Sequence, residues 1–463
     1  MSDTPSPAQE EASTKAAKLV QGSIVGHLIG QTLPMIIGVA AIMSIGLVDA
    51  YFIGKLGADE LAAISFIFPI TVALSSLGVG VMVGINSVVA RALGEGNDEK
   101  AARRANLGIV FAVACGLVMG LALYVLLDPI FALMNASDEI RPLIQIYMQP
   151  YALGFPLILT IMGLNGVLRG QGEARRTSYV SLIYAAANWV LDPILITGAF
   201  GFEGMGIVGA AYATIAGWIC GVIAAVWLAR QCEIPLNLAL MFKGKIAEPM
   251  VAILRVGLPA AASNAINPIG LSVLTAIVAL EGEAAVAGFG AAGRLQSFAC
   301  VPLLALSGSI GAIVGQNWGA NEFDRARKAA LYAGAFCIAW GLAVAVAVVV
   351  GGEFFADLFS EDPDVIAEFK LYLSIAAWGF AGFGLLIVGN GIMNAVDRAS
   401  FALGQSVLRV FAIMLPFAWL FVASWGSAAV YAAELAANVF GAITAILLVR
   451  YVLFSQSRKQ GQA

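Results

Sequence analysis

Residues 184–197 of the 463-residue chain read YAAANWVLDPILIT. Tyr184, Asn188 and Asp192 recur there at four-residue spacing, so on a helix they share one face. Pro193 follows the aspartate directly. A proline has no N–H, so the carbonyl of Trp189 loses its intrahelical donor. A carboxylate, an amide and a freed carbonyl on one face make an oxygen-rich cation site. Such ligands suit a hard ion such as Na⁺. A proton asks only for a carboxylate able to become neutral. A second acid, Asp49, stands in another apolar run, GLVDAYFIG, and Thr214 in a third, AAYATIAGW. Charges among Leu, Val and Ile are costly, which makes Asp49 and Asp192 functional candidates.

The elements that must position these residues follow from composition. The chain is 60% hydrophobic and 12% charged, against about 45–50% and about 25% in soluble domains. That is the composition of an integral membrane protein. About twelve apolar runs reach the roughly 20 residues that a membrane helix needs. They cover 27–51, 60–84, 105–127, 144–168, 177–199, 207–230, 251–280, 284–314, 328–351, 370–394, 399–424 and 428–453. They are too long for the roughly 10-residue strands of a barrel, so the fold class is all-α.

Lys and Arg set the orientation. The connections after even-numbered spans are basic, with Arg91, Lys100, Arg103 and Arg104 after the second and Arg169, Arg175 and Arg176 after the fourth. Connections after odd-numbered spans carry acids, as in GGEFFADLFSEDPD. Both termini are therefore expected in the cytoplasm, with the chain in the plasma (inner) membrane. Asp49 lies about 22 residues into the first span and Asp192 about 15 into the fifth. At about 1.5 Å per residue both reach the outer half of the bilayer. Thr214, on the returning sixth span, lies at similar depth. Asp49, Tyr184, Asn188, Asp192 and Thr214 are thus expected to converge on one polar pocket.

The sequence also repeats at an offset of 225 residues: Pro34 falls on Pro259, Tyr147 on Tyr372, Gly154–Phe155 on Gly379–Phe380, and Asn165–Gly166 on Asn390–Gly391. Each half holds six spans, an even number, so both enter from the same side as parallel repeats about an axis normal to the membrane. The expected organisation is a disordered cytoplasmic tail (1–24), an N-terminal six-helix lobe (25–230), a cytoplasmic linker (231–250), a C-terminal six-helix lobe (251–453) and a second tail (454–463). Two such bundles suit an alternating-access carrier. The N-terminus lacks the pattern of a secretory signal. A single histidine, His27, five cysteines without a CxxC, and no P-loop leave no metal motif, disulfide framework or ATP site.

The stretches LVDAYFIGKLGADELAAIS, GVLRGQGEARRTS, NWVLDPILI, GMGIVGAAYAT, GFGAAGRLQSF and GQNWGANEFDRAR together resemble the multidrug and toxic compound extrusion (MATE) family, over about residues 25–455. The resemblance implies a six-plus-six antiporter that exports amphipathic, often cationic compounds in exchange for H⁺ or Na⁺. One branch carries acids in helices 7 and 10, where this chain reads GLPAAASNAINP and SIAAWGFAGFGLLIVGN. The acids kept are Asp49 and Asp192, as in the DinF-like branch, where coupling is assigned to the N-terminal lobe. Ile45 stands where some relatives have a tyrosine. The resemblance also implies that Pro34 lets helix 1 bend.

No cofactor is expected beyond the coupling ion, and any Na⁺ would lie at Asp49, Asn188 and Asp192. Substrate contacts are expected from aromatic faces, which attract cations, at Phe155, Trp189, Phe289, Trp378 and Phe380, and from Glu434. Arg294 and Arg409 are expected to snorkel or pair. The partners are small amphipathic or cationic molecules and the bilayer, with no nucleic acid, for a monomeric protein that is not an enzyme. The alternatives are a flippase for lipid-linked precursors, which a scarcity of mid-membrane Lys and Arg opposes, and a non-transporting structural or sensory protein.

Overall fold

The computed structural model describes residues 17–134, 136–199, 201–234, 236–237 and 246–460, with side chains as far as Phe454. Among these residues every regular element is helical. In chain order they are α1 (Ile24–Gly54), α2 (Ala58–Gly94), α3 (Asp98–Leu133), α4 (Arg141–Gly170), α5 (Ala174–Asp192), α6 (Ile207–Ala229), α7 (Ala247–Val278), α8 (Glu283–Ala299), α9 (Val301–Gly319), α10 (Phe323–Val350), α11 (Gly352–Asp357), α12 (Pro363–Ala376), α13 (Phe380–Ala395), α14 (Ala399–Val407), α15 (Leu415–Trp425) and α16 (Ser427–Gln460). Among the described residues, eleven helical stretches are long and apolar enough to span a membrane. A twelfth arises if α8 and α9 form one span.

Local chemistry sets the helix ends. Gly96 takes φ +68° after α2, a left-handed turn that closes the helix. The Asn97 side chain then accepts a hydrogen bond from Lys100 N at 2.8 Å and caps α3. Asp98 and Glu99 fill the first turn of α3, where the helix dipole favours acids. At α12 the Asp362 side chain accepts from Asp364 N at 2.9 Å, with Pro363 opening the helix.

The chain divides into two compact units, Met1–Lys18 with Pro34–Ala261 and Leu19–Leu33 with Ala262–Ala463. In the first unit α4 is the most deeply buried span. Close helix approach replaces hydrophobic drive inside a membrane. At Gly120 of α3 a Cβ would stand 2.5 Å from the Ala152 carbonyl of α4, so only glycine fits. In the second unit the stretch 363–395, built of α12, a 3₁₀ turn and α13, is the most buried of the unbroken spans. The boundary between units falls at Leu33/Pro34, inside α1.

Three sequence expectations change. The run 284–314 is not one straight helix, because α8 and α9 meet at 46°. Pro302 has no N–H to give the Phe298 carbonyl, and the ladder breaks there. The described end of the expected disordered tail, residues 17–23, is packed rather than loose. Leu19 is buried; its N–H donates to Gln316 Oε1 at 3.0 Å and its carbonyl accepts from Asn317 Nδ2 at 3.1 Å. Residues 1–16 of the tail and 238–245 of the linker lie outside the described residues. Third, the run 399–424 is interrupted by a π-helical turn, Leu408–Met414, between α14 and α15.

Candidate functional site

The polar residues of the first unit meet where α1, α4, α5 and α6 pack together. Asp192 is the last residue of α5, and Pro193–Thr197 continue as a π-helical turn. The sequence reading expected a freed carbonyl at this proline. The structure answers with a widened turn, a form frequent at functional sites. The turn is held by α6. A Cβ at Gly209 would stand 2.0 Å from the Leu195 carbonyl, and one at Gly217 3.0 Å from the Tyr184 carbonyl. Glycine at both positions lets α6 lie directly against α5.

Asp192 is fully buried, and neither of its carboxylate oxygens has a hydrogen-bond partner. Its carboxyl faces that of Asp49, whose buried Oδ1 also lacks a donor. Asn188, one turn before Asp192, is buried with its Oδ1 unpartnered. Two facing carboxyls therefore present acceptors that no hydrogen bond satisfies, with a further unpartnered acceptor one turn away on α5. Acceptor facing acceptor is repulsive unless a proton or a cation lies between them. The donor set is all oxygen, which fits H⁺ or a hard cation such as Na⁺.

Tyr147 of α4 faces Asp49, Asp192 and the half-buried Thr214. Sequence reasoning placed Thr214 here but missed Tyr147. Its signal was present, since Tyr147 is one of the rarer residues matched by the 225-residue repeat. Tyr184 lies beside Tyr151, which belongs to an aromatic cluster. Tyr151 lies 6.0 Å from Tyr147, 6.2 Å from Phe155 and 5.0 Å from Trp218, ring centre to ring centre. The structure thus brings Asp49, Asp192 and Thr214 together around Tyr147, and sets Tyr184 beside Tyr151.

The second unit is built differently. Glu434 of α16 is buried, and both its oxygens are satisfied: Gln296 Nε2 donates at 2.9 Å and the Tyr372 hydroxyl at 2.9 Å. Tyr372 is the repeat partner of Tyr147. Glu368 accepts from Tyr431 at 2.7 Å and from Ser427 at 3.1 Å. Arg409, buried in the π-helical turn, donates to Asn438 at 2.7 Å and Asn267 at 2.9 Å. Arg294 is exposed. The C-terminal half therefore does hold acids within its helices. Glu368 escaped notice because it precedes the run expected to begin at 370.

The residues expected to contact substrate divide into buried and exposed ones. Phe155 and Phe380 are among the largest fully buried side chains, each filling its own unit's core. Phe289 is buried between Tyr372 and Tyr431, at 5.6 and 6.0 Å. Glu434 spends both oxygens inside its unit. All four side chains are buried within their own units. Trp189 and Trp378 remain exposed, with indole N–H groups donated to Ser44 Oγ at 3.1 Å and to the Ser374 carbonyl at 3.0 Å.

The chain is 31% identical over 404 residues to the "FAD transporter" of Shewanella oneidensis, covering 87% of this chain and 89% of that protein. It is 27% identical over 426 residues to the "Multidrug export protein MepA" of Staphylococcus aureus, covering 90% and 92%. Among solved structures, the Vibrio cholerae MATE transporter VcmN, as a point mutant and in a bent form, superposes with TM-scores of 0.88 and 0.87. That protein is 27% identical, over 96% of this chain and 98% of its own. The MatE family model matches twice, at residues 34–194 and 259–420, starting at Pro34 and Pro259, the two prolines that the 225-residue repeat superimposes. An all-helical membrane chain that carries this pattern twice over most of its length belongs to the MatE family, the multidrug and toxic compound extrusion transporters.

Proposed function

We propose that the chain is a secondary active exporter of amphipathic, often cationic compounds, coupled to H⁺ or Na⁺ through Asp49 and Asp192. The observation that carries this reading is the pair of facing carboxyls in the first unit, with buried oxygens that no donor satisfies. An unpaired buried acceptor costs about 1–3 kcal/mol. The cluster therefore favours whichever conformation lets an ion reach it. An ion shifts a two-state equilibrium only through its different affinity for the two states. Tyr147 and Thr214 supply neutral hydroxyls that can turn toward the ion or toward each other. Asn188 adds a fixed carbonyl oxygen.

Helix α1 transmits the change. Residues before Pro34 pack with the second unit, as in the 2.8 Å bond between Thr32 and Ser309 hydroxyls. Residues after Pro34 carry Asp49 in the first unit. A proline in a helix interior lacks one ladder bond and is an easy place to bend. By the distribution of Lys and Arg both termini lie in the cytoplasm, and the protein works as a monomer in the inner membrane. The test is export of an amphipathic cation from vesicles under imposed pH or Na⁺ gradients. The wild type responds to one gradient, and Asp192→Asn loses that response.

A second reading follows from the FAD transporter at 31% identity. On that reading the exported compound is FAD, an anion, with the same coupling site. Vesicles loaded with FAD and with a cationic dye separate the two, since each reading expects gradient-driven loss of only one compound.

A further inference from the structure

A groove of about 510 Å³ runs along the second unit between α10, α13 and α16. Its floor is apolar, with Leu331, Ile338, Leu385, Ile392 and Val449 among the lining residues. One end is cationic, formed by Arg327, Lys328 and Arg450. Arg327 is fixed in place: it donates to the Leu453 carbonyl at 3.0 and 3.2 Å and to Asp324 at 2.7 Å, with its guanidinium 4.5 Å from the Phe454 ring centre. Lys328 and Arg450 are exposed and make no ion pair among the described residues. From Arg327 to Ile338 the groove follows α10 for 11 residues, about 16 Å. That is about half of the ~30 Å hydrocarbon thickness, the depth of one leaflet.

We infer that this groove is a binding site for an anionic phospholipid. Its phosphate lies at Lys328 and Arg450, and one acyl chain lies along the floor toward Ile338. The charge complementarity is specific to the end of the groove: a zwitterionic lipid fills the apolar floor equally well and also brings a phosphate, but its own ammonium offsets that phosphate's attraction to the two cations, whereas an anionic headgroup keeps its full net charge for them. The groove shares no residue with the Asp49–Asp192 cluster, so the inference stands whichever substrate the protein exports. It requires only that these helices lie in a membrane.

The test uses the full chain, purified in detergent and incubated with phosphatidylglycerol or with phosphatidylcholine of the same acyl chains. Retained lipid is counted by native mass spectrometry, and melting temperature is recorded with and without lipid. Two juxtamembrane cations favour the anionic lipid by about thirtyfold. The wild type should therefore retain phosphatidylglycerol preferentially and melt higher with it. Lys328→Gln with Arg450→Gln should erase the preference while leaving the lipid-free melting temperature unchanged. Gly334→Phe keeps both charges but fills the floor; an added Cβ there meets only Leu385 at 3.5 Å. It should reduce retention of both lipids. Equal retention of the two lipids by the wild type overturns the inference. So does an undiminished preference in the double variant, or an equal rise in melting temperature from inorganic phosphate alone.

Discussion

Asp192→Asn separates coupling from folding, because the two should move in opposite directions. Asparagine is nearly isosteric and keeps one acceptor. It adds an NH₂ group beside Asp49, whose Oδ1 lacks a donor, at a position where both Asp192 oxygens lack one too. Satisfying one buried acceptor removes a cost of about 1–3 kcal/mol. Measured without Na⁺, the variant should melt a few degrees above the wild type. Its transport should fail in a specific way. An inward gradient of one pH unit supplies about 1.4 kcal/mol per proton, enough to hold about a tenfold outward gradient of a substrate exchanged one for one. Reconstituted wild type given an amphipathic cationic dye should approach that ratio under the coupling gradient. The variant should equilibrate the dye to a ratio near one. Gradient-driven accumulation equal to wild type refutes the assignment of coupling to this pair. A lower melting temperature refutes the donor-poor cluster from which the assignment is argued.

Tyr147→Phe removes the hydroxyl that faces Asp49, Asp192 and Thr214. It should weaken the apparent affinity for the coupling ion by about five- to tenfold, about 1 kcal/mol, with a smaller change in maximal rate, read from transport at graded ion concentration. Glu434→Ala leaves Gln296 Nε2 and the Tyr372 hydroxyl without their buried acceptor. It should destabilise the protein by about 1–3 kcal/mol, seen as a lower melting temperature, while the dependence on the ion gradient persists. Pro34→Ala restores the missing helical bond in α1. Transport rate should fall severalfold while ion-induced thermal stabilisation stays intact; unchanged transport would remove α1 bending from the cycle.

The number of spans was legible to within one in the linear order because each membrane helix must satisfy its own backbone and therefore announces itself as a long apolar run, although the helices run several residues past those runs into polar sequence. The repeat was legible because its prolines, tyrosines and asparagines keep one offset. Asp49 and Asp192 were legible because a charge in such a run is conspicuous. What the linear order does not carry is which side chains face one another. Tyr147 looks like one aromatic among many until α4 is packed against α1, α5 and α6. Phe155, Phe289, Phe380 and Glu434 look like candidates for a drug-binding surface until packing buries them and, for Glu434, spends its oxygens on Gln296 and Tyr372. The 46° break at Pro302 and the π-helical turns near Pro193 and Arg409 depend on how neighbouring helices take up backbone groups that a proline or a polar residue releases. The sequence by itself determined a membrane chain of two related halves with acids at depth in the first. Only the tertiary structure decided that those acids face each other without a donor while the buried acids of the second half are already satisfied, since hydrogen bonding between helices is a property of their packing.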